Sequence, residues 1–247
     1  MEPFWNITSS IDWCEENWMY SNYIAEFWNT LSSFSMVISG LYLLYTQNNS
    51  TNLMKLKHYK LLNLNLTSIF MIIIGFGSVL FHMTLSRYSQ ALDEVPMIWT
   101  SLLLIHLSLN ELINMDYKTH LIEQVLLLVY GMFATLCITT TENELQFTLF
   151  HINNTIISTL VIILFYILSR VKNISRDKDL FKKSIIFFGF ALSCWSFDLF
   201  LCHYTTYFQI QLHAMWHVFS SIGFFYLIKI LEESYVYNYK NSLKKMI

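Results

Sequence analysis

Residues 62–83 read LNLNLTSIFMIIIGFGSVLFHM, a run without a single Asp, Glu, Lys or Arg. A helix needs about 20 mostly apolar residues to cross about 30 Å of hydrocarbon. This run has that length and lacks the apolar–polar alternation of a barrel strand, so it reads as a membrane-spanning helix. Six further stretches are similarly long and mostly apolar, some with one or two charged residues: 27–46, 92–110, 121–140, 147–168, 184–202 and 212–231. Composition agrees. Hydrophobic residues make up 55% of the 247 and charged residues only 13%, against about 25% in soluble domains. With six Gly, two Pro and a net charge of −2, collagen-like, disordered and nucleic-acid-binding classes are excluded. The expected fold is all-α: a polytopic seven-transmembrane helix bundle over 27–231, preceded by a polar segment, 1–26, and followed by a short tail, 232–247. Short loops and the lack of internal repeats favour one bundle over two domains.

Lys and Arg set the direction of insertion. Lys55, Lys57, Lys60, Lys118, Arg170, Lys172, Arg176, Lys178, Lys182, Lys183, Lys229, Lys240, Lys244 and Lys245 all fall on one side, and only Arg87 falls on the other. The crowded side is cytosolic, which places the N-terminus in the lumen or outside and the C-terminus in the cytosol. The opening residues, MEPFWNITSSIDWCEEN, carry neither a positive n-region nor an apolar h-region, so the first span is expected to serve as its own insertion signal. Asn6-Ile7-Thr8 is a luminal glycosylation sequon, a triplet also common by chance.

An ionisable residue inside lipid needs a reason, and the topology assigns each one a depth. His82 lies at the luminal end of the second span, with Ser78 one turn deeper. Asp93 and Glu94 begin the third span at the same level, and His213 and His217 begin the seventh. The i, i+4 spacing of His213 and His217 puts both imidazoles on one helical face. Alone, such a pair is a weak signal, since membrane histidines more often bond helix to helix. The shared depth with His82 and Asp93 strengthens it, because three histidines with one open position form a catalytic zinc arrangement. His58, His106, His120, His151 and His203 do not fit this level and are read as structural or solvated.

Asp12, Glu15, Asn17 and Glu26 gather oxygen donors within fifteen residues. They read either as a solvated acidic tail, which composition favours, or as a site for a hard cation such as calcium. Cys14 and Cys202 both lie on the luminal side, where a bridge is chemically permitted. Cys137 and Cys194 sit within spans as packing residues. Asp198 either orients a ligand histidine or joins helices.

The ordered motifs Asp12-Trp13-Cys14-Glu15-Glu16-Asn17, Glu26-Phe27-Trp28-Asn29-Thr30, Ser78 to His82, Leu92-Asp93-Glu94, Trp195 with Asp198, and His213-Ala214-Met215-Trp216-His217 cover essentially the whole chain. In them the chain resembles the alkaline ceramidases, seven-span lipid amidases. That resemblance implies a catalytic Zn2+ held by His82, His213 and His217, with Ser78 and Asp93 beside it. It implies a structural or regulatory Ca2+ held by Asp12, the Trp13 carbonyl, Glu15, Asn17 and Glu26, and a Cys14–Cys202 disulfide. The expected reaction is hydrolysis of a ceramide-type lipid to a sphingoid base and a fatty acid, with Asp93 as general base and Ser78 as donor to the oxyanion. An endoplasmic reticulum or Golgi membrane is the expected location, with no obligate protein partner. Trp18, Leu212 and Met215 depart from the family pattern near the lipid groove. Two alternatives stand beside it: a receptor of the adiponectin and progestin type, which also uses three histidines and zinc but has a cytosolic N-terminus, and a related hydrolase acting on lipid-anchored proteins. Arg87, the lone luminal cation, is not expected to read the lipid head group.

Overall fold

The computed structural model describes residues 2–171 and 175–244. Lys172, Lys245 and the side chain of Arg176, counted above on the cytosolic side, lie outside the described residues. After a non-helical N-terminal segment, 2–26, the described chain is mainly helical, with no β-strand among the described residues: α1 (Phe27–Asn49), a single 3-10 turn (Leu53–Lys55), α2 (His58–Thr84), α3 (Arg87–Leu112), α4 (Tyr117–Thr140), α5 (Asn143–Val171), α6 (Ser175–Phe200), the short α7 (Cys202–Tyr207) and α8 (Leu212–Lys244). Six of these, α2 to α6 and α8, are long and apolar enough to cross a membrane. α1 has the length but is too polar to count among them. Its Ser32, Ser33, Ser35 and Ser39 turn inward onto α8 and α2, so the bundle buries its polarity. The expected span 184–202 ends two residues early, at Phe200, and Cys202 opens α7 instead. α8 runs on past Leu231 to Lys244 because its far end stays packed: Ser234 and Asn238 donate to Glu111 of α3 at 3.0 and 2.6 Å.

Helix starts follow side-chain caps. Ser86 Oγ accepts from the Ser89 N–H at the start of α3, and Asp116 Oδ1 accepts from the Thr119 N–H at the start of α4, both at 3.2 Å. The core lies between α2, α3, α5 and α8, around Leu64, Ile98, Leu104, Phe165 and Leu227. The outer faces carry large exposed apolar side chains; on α4 alone these include Leu126, Val129, Met132, Phe133 and Leu136. In water such a face would be an aggregation site; in lipid it is the solvent-matched surface. The protein is an integral membrane protein.

Two local features position the site. The last carbonyls of a helix have no intrahelical partner, and at the end of α2 the N-terminal segment supplies one. His82 and Met83 carbonyls accept from the Glu26 and Ala25 N–H groups, and the Leu85 carbonyl accepts from those of Thr8 and Ser9, all at 3.0 Å. Leu85 takes a left-handed conformation (φ 47°) to end the helix there. A small apolar cluster of Trp13, Ala25, Phe81 and Leu85 seals the join. The second feature is Pro96 inside α3. It has no N–H to donate, so the carbonyl of Leu92 is left without its usual partner. The hydrogens of Gly77 in α2 rest against that carbonyl, and a Cβ there would lie 3.0 Å from the Asp93 nitrogen. The α2 and α3 backbones therefore touch one residue away from both Ser78 and Asp93.

Candidate metal centre

His82 at the end of α2, and His213 and His217 at the start of α8, bring their rings together in the interior; all three are buried. One nitrogen from each lies within 4.8 Å of the others. Imidazoles sharing one zinc at about 2.0–2.1 Å place their ring centres about 3.2 Å from the ion and about 5.2 Å from each other at tetrahedral angles. The observed ring centres are 5.1, 4.8 and 4.7 Å apart.

Hydrogen bonds behind the rings settle which nitrogens face inward. His82 Nδ1 is hydrogen-bonded to Glu26 Oε2. Ser32 Oγ donates to the Asn29 carbonyl at 3.0 Å. With its hydrogen used there, it accepts from His217 Nδ1 at 2.8 Å. Both rings therefore turn Nε2 toward the common point. His213 is held by stacking: the Trp13 ring lies 3.7 Å from it at 24°. Its Nδ1 is buried with no hydrogen-bond partner among the described residues, which is costly for a polar atom unless something else satisfies the ring. The donor set suits a zinc ion.

Ser78 and Asp93 meet beside the histidines, the hydroxyl bonded to the carboxyl; Ser33 Oγ stands 3.0 Å from Ser78 Oγ. Both line a cavity of about 130 Å3 together with His213, His217, Trp195 and Trp216. A second, more apolar cavity of about 300 Å3 adjoins it, sharing Met36, Met97 and Trp216 and continuing between Val161, Phe188 and Leu227. His151, read from the sequence as structural, also lines the first cavity, with its ring stacked 5.1 Å from that of Trp195.

Glu15 and Glu26 of the acidic segment are buried, while Asp12 keeps an exposed side. Asn17 Nδ2 donates to both Asp12 oxygens at 2.9 and 3.0 Å, and the Asp12 carboxyl is hydrogen-bonded to that of Glu26. Glu26 accepts from the Trp13 N–H and from Asn29 Nδ2, each at 3.0 Å. Glu15 caps α1 from outside it, accepting from the Trp28 and Asn29 N–H groups at 2.6 and 2.9 Å. Burial pushes the carboxyls of Glu15 and Glu26 up to about 7 and raises that of Asp12. Asn17 Oδ1 is buried without a hydrogen-bond partner among the described residues. Asp12 and Glu26 meet directly and Glu15 lies near enough to Glu26 to feel its charge; with the Asn17 amide oxygen these are the hard oxygen donors that calcium takes. Cys14 and Cys202 are bridged, with Cα atoms 5.3 Å apart. Asp198 joins segments: it accepts from the Cys14 N–H at 3.3 Å and from that of His213, not from an imidazole. Asn6 is exposed. Arg87 is committed to the end of α4 and the turn after it, bonding the Thr139 carbonyl at 3.1 Å, the Thr141 carbonyl at 2.5 Å and Glu142 at 2.6 Å.

The ceramidase family model matches residues 5–246. The chain belongs to the ceramidase family. Among its relatives, dcd3A of Dictyostelium discoideum is 30% identical, over 91% of this chain and 88% of that protein. Mouse alkaline ceramidase 3 is also 30% identical, over 87% and 80%, and human alkaline ceramidase 1 is 28% identical, over 89% and 80%. Membership in this family decides between the enzyme and receptor readings that three clustered histidines allow. Ser32, Ser33 and Asn29, which hold His217 and Glu26, and the ring of Trp13 were not singled out from the sequence. The polar run Asn29-Thr30-Leu31-Ser32-Ser33 at the start of an otherwise apolar stretch was the available signal.

Proposed function

We propose that this chain hydrolyses the amide bond of ceramide-type lipids, with zinc held by His82, His213 and His217 and calcium held by Asp12, the Trp13 carbonyl, Glu15, Asn17 and Glu26. The observation that carries this reading is the convergence of three buried imidazoles, at the ring spacing of a shared ion, beside a carboxyl and a hydroxyl on one cavity wall. When bound, zinc supplies Lewis acidity, polarising an amide carbonyl and acidifying water. Asp93 accepts a proton from the attacking water and later returns it to the departing amine. While ionised, Asp93 holds the Ser78 hydrogen. Once protonated it donates to Ser78 Oγ, and the Ser78 hydrogen turns to the oxyanion, a contact worth about 3–4 kcal/mol in other enzymes. The water oxygen first bonds to the carbonyl carbon, giving the oxyanion; the C–N bond then breaks as the amine takes the proton from Asp93, giving a fatty acid and a sphingoid base. The adjoining apolar cavity takes up a lipid chain. Arg87, the lone luminal cation, is held by the end of α4 and the turn after it, which suits a neutral head group.

The reading includes seven spans, α1 among them, with the N-terminus luminal and the C-terminus cytosolic. The asymmetry of Lys and Arg supports that direction. The Cys14–Cys202 bridge supports an oxidising lumen, as in the endoplasmic reticulum or Golgi. Mass spectrometry of purified protein incubated with a ceramide panel tests the proposal. Wild type is expected to release free sphingoid base and His217→Ala to release none; equal release by both would remove the mechanism.

A further inference from the structure

A second cluster of metal-ligating side chains lies away from the first. His106 of α3 faces His120 and Glu123 of α4, and one ligand atom from each lies within 4.8 Å of the others. We propose that His106, His120 and Glu123 form a second binding site, for a divalent transition metal such as zinc, that clamps α4 to α3. His120 and Glu123 are spaced i, i+3 and share a helical face. The ring centres of His106 and His120 are 5.3 Å apart, which matches the separation of about 5.2 Å for imidazoles on one tetrahedral ion. His106 Nδ1 lies 3.0 and 2.9 Å from the two Glu123 oxygens. Two ligands at about 2.0–2.2 Å from one ion stand about 3.0–3.4 Å apart.

The other ring nitrogen is also held. Asn110, one turn along α3, sets its Nδ2 3.0 Å from His106 Nε2 and 3.4 Å from Nδ1, and the Glu123 carboxylate accepts from the Nδ1–H. When a divalent ion takes Nδ1, that proton moves to Nε2 by exchange with solvent. The Asn110 amide then turns over, so that its carbonyl accepts from Nε2–H, the outer contact that orients a ligating imidazole. Two nitrogens, one carboxylate oxygen and a position open to water suit zinc better than calcium or magnesium. The three side chains are half-buried rather than sealed, so an ion can enter. α4 has the most to gain from such a clamp, because its outward face is exposed along most of its length.

The rival account is an ordinary His106–Glu123 ion pair between helices. His120→Ala separates the two, since it leaves that pair intact. Purified full-length protein is stripped with a chelator, titrated with Zn2+ and washed, and bound zinc per chain is measured by elemental mass spectrometry. His120→Ala and Glu123→Gln are each expected to hold one zinc fewer than wild type, with ceramide turnover within twofold at saturating zinc. Added Zn2+ is expected to raise the unfolding midpoint of wild type further than that of His120→Ala. Equal zinc content in wild type and His120→Ala would overturn the proposal. Because the readout is a difference in stoichiometry, it stands whether or not the buried three-histidine centre binds zinc.

Discussion

Gly77→Ala tests how the catalytic pair is spaced. The added Cβ would lie 2.7 Å from the Leu92 carbonyl carbon and 3.0 Å from the Asp93 nitrogen, where carbon contacts normally settle at about 3.5–4.0 Å. Both obstacles are backbone, so no rotamer change relieves them, and α2 and α3 must part by about 1 Å. Overpacking of this kind costs about 1–3 kcal/mol, partly offset by the gain of about 1 kcal/mol when Ala replaces Gly in a helix. Net stability should therefore change by no more than about 2 kcal/mol. Catalysis should suffer more, because Ser78 rides on α2 and Asp93 on α3. A displacement of about 1 Å at reacting groups costs on the order of 100-fold in rate. Gly189→Ala is the control: it adds the same methyl to α6 with nothing within 4 Å, and should leave turnover unchanged. The assay is sphingoid-base release at saturating ceramide, with a thermal unfolding scan on the same samples. Wild-type turnover in Gly77→Ala would refute the claim that helix contact at this glycine sets the Ser78–Asp93 geometry.

Ser32→Ala removes the acceptor of His217 Nδ1–H and is expected to lower zinc affinity and activity by about 10–100-fold, with added zinc restoring part of the activity; unchanged affinity would show that Ser32 does not orient the ring. Calcium binding should strengthen as pH rises toward about 7 and level off above it. Without the ion, Glu15 and Glu26 hold their protons up to about 7 rather than 4.5, and those protons must leave for calcium to bind. By the same linkage, the calcium-free fold should lose stability as pH rises from 4.5 to about 7, since over that window the folded chain holds protons the unfolded chain has released. Calorimetry in buffers of different ionisation enthalpy reads the released protons, and a pH-independent affinity would contradict the coupling. Arg87→Ala breaks contacts to the end of α4 and the turn after it and should leave ceramide turnover and bound zinc within about twofold of wild type while lowering stability by no more than about 1 kcal/mol; lost turnover with zinc retained would make Arg87 a head-group reader.

The helices were legible because an uncharged run of about 20 residues rarely folds as anything but a membrane-spanning helix. Their ends were less so. Phe200 and Cys202 differ little in hydropathy, so the break that starts α7 carries no compositional mark, and α8 outruns its apolar stretch because Glu111 anchors Ser234 and Asn238. The three histidines and Asp93 stood out as ionisable groups at one depth in lipid. What holds them did not. Serines inside helices commonly bond their own preceding turn, so Ser32 and Ser33 carry no sign of a partner 184–185 residues away. Glu15 caps α1 from a distance of 13 residues, well outside the three-residue reach of a capping box. Glu26, assigned from the resemblance to calcium, also carries His82, and thus links the acidic segment to the histidines.

The most direct test of the account is to restore zinc to chelator-stripped His120→Ala protein while following bound metal and sphingoid-base release together. Turnover should return in proportion to a single bound equivalent, and His217→Ala in the same background should regain none. Full hydrolysis by protein holding no zinc would contradict the account at its centre.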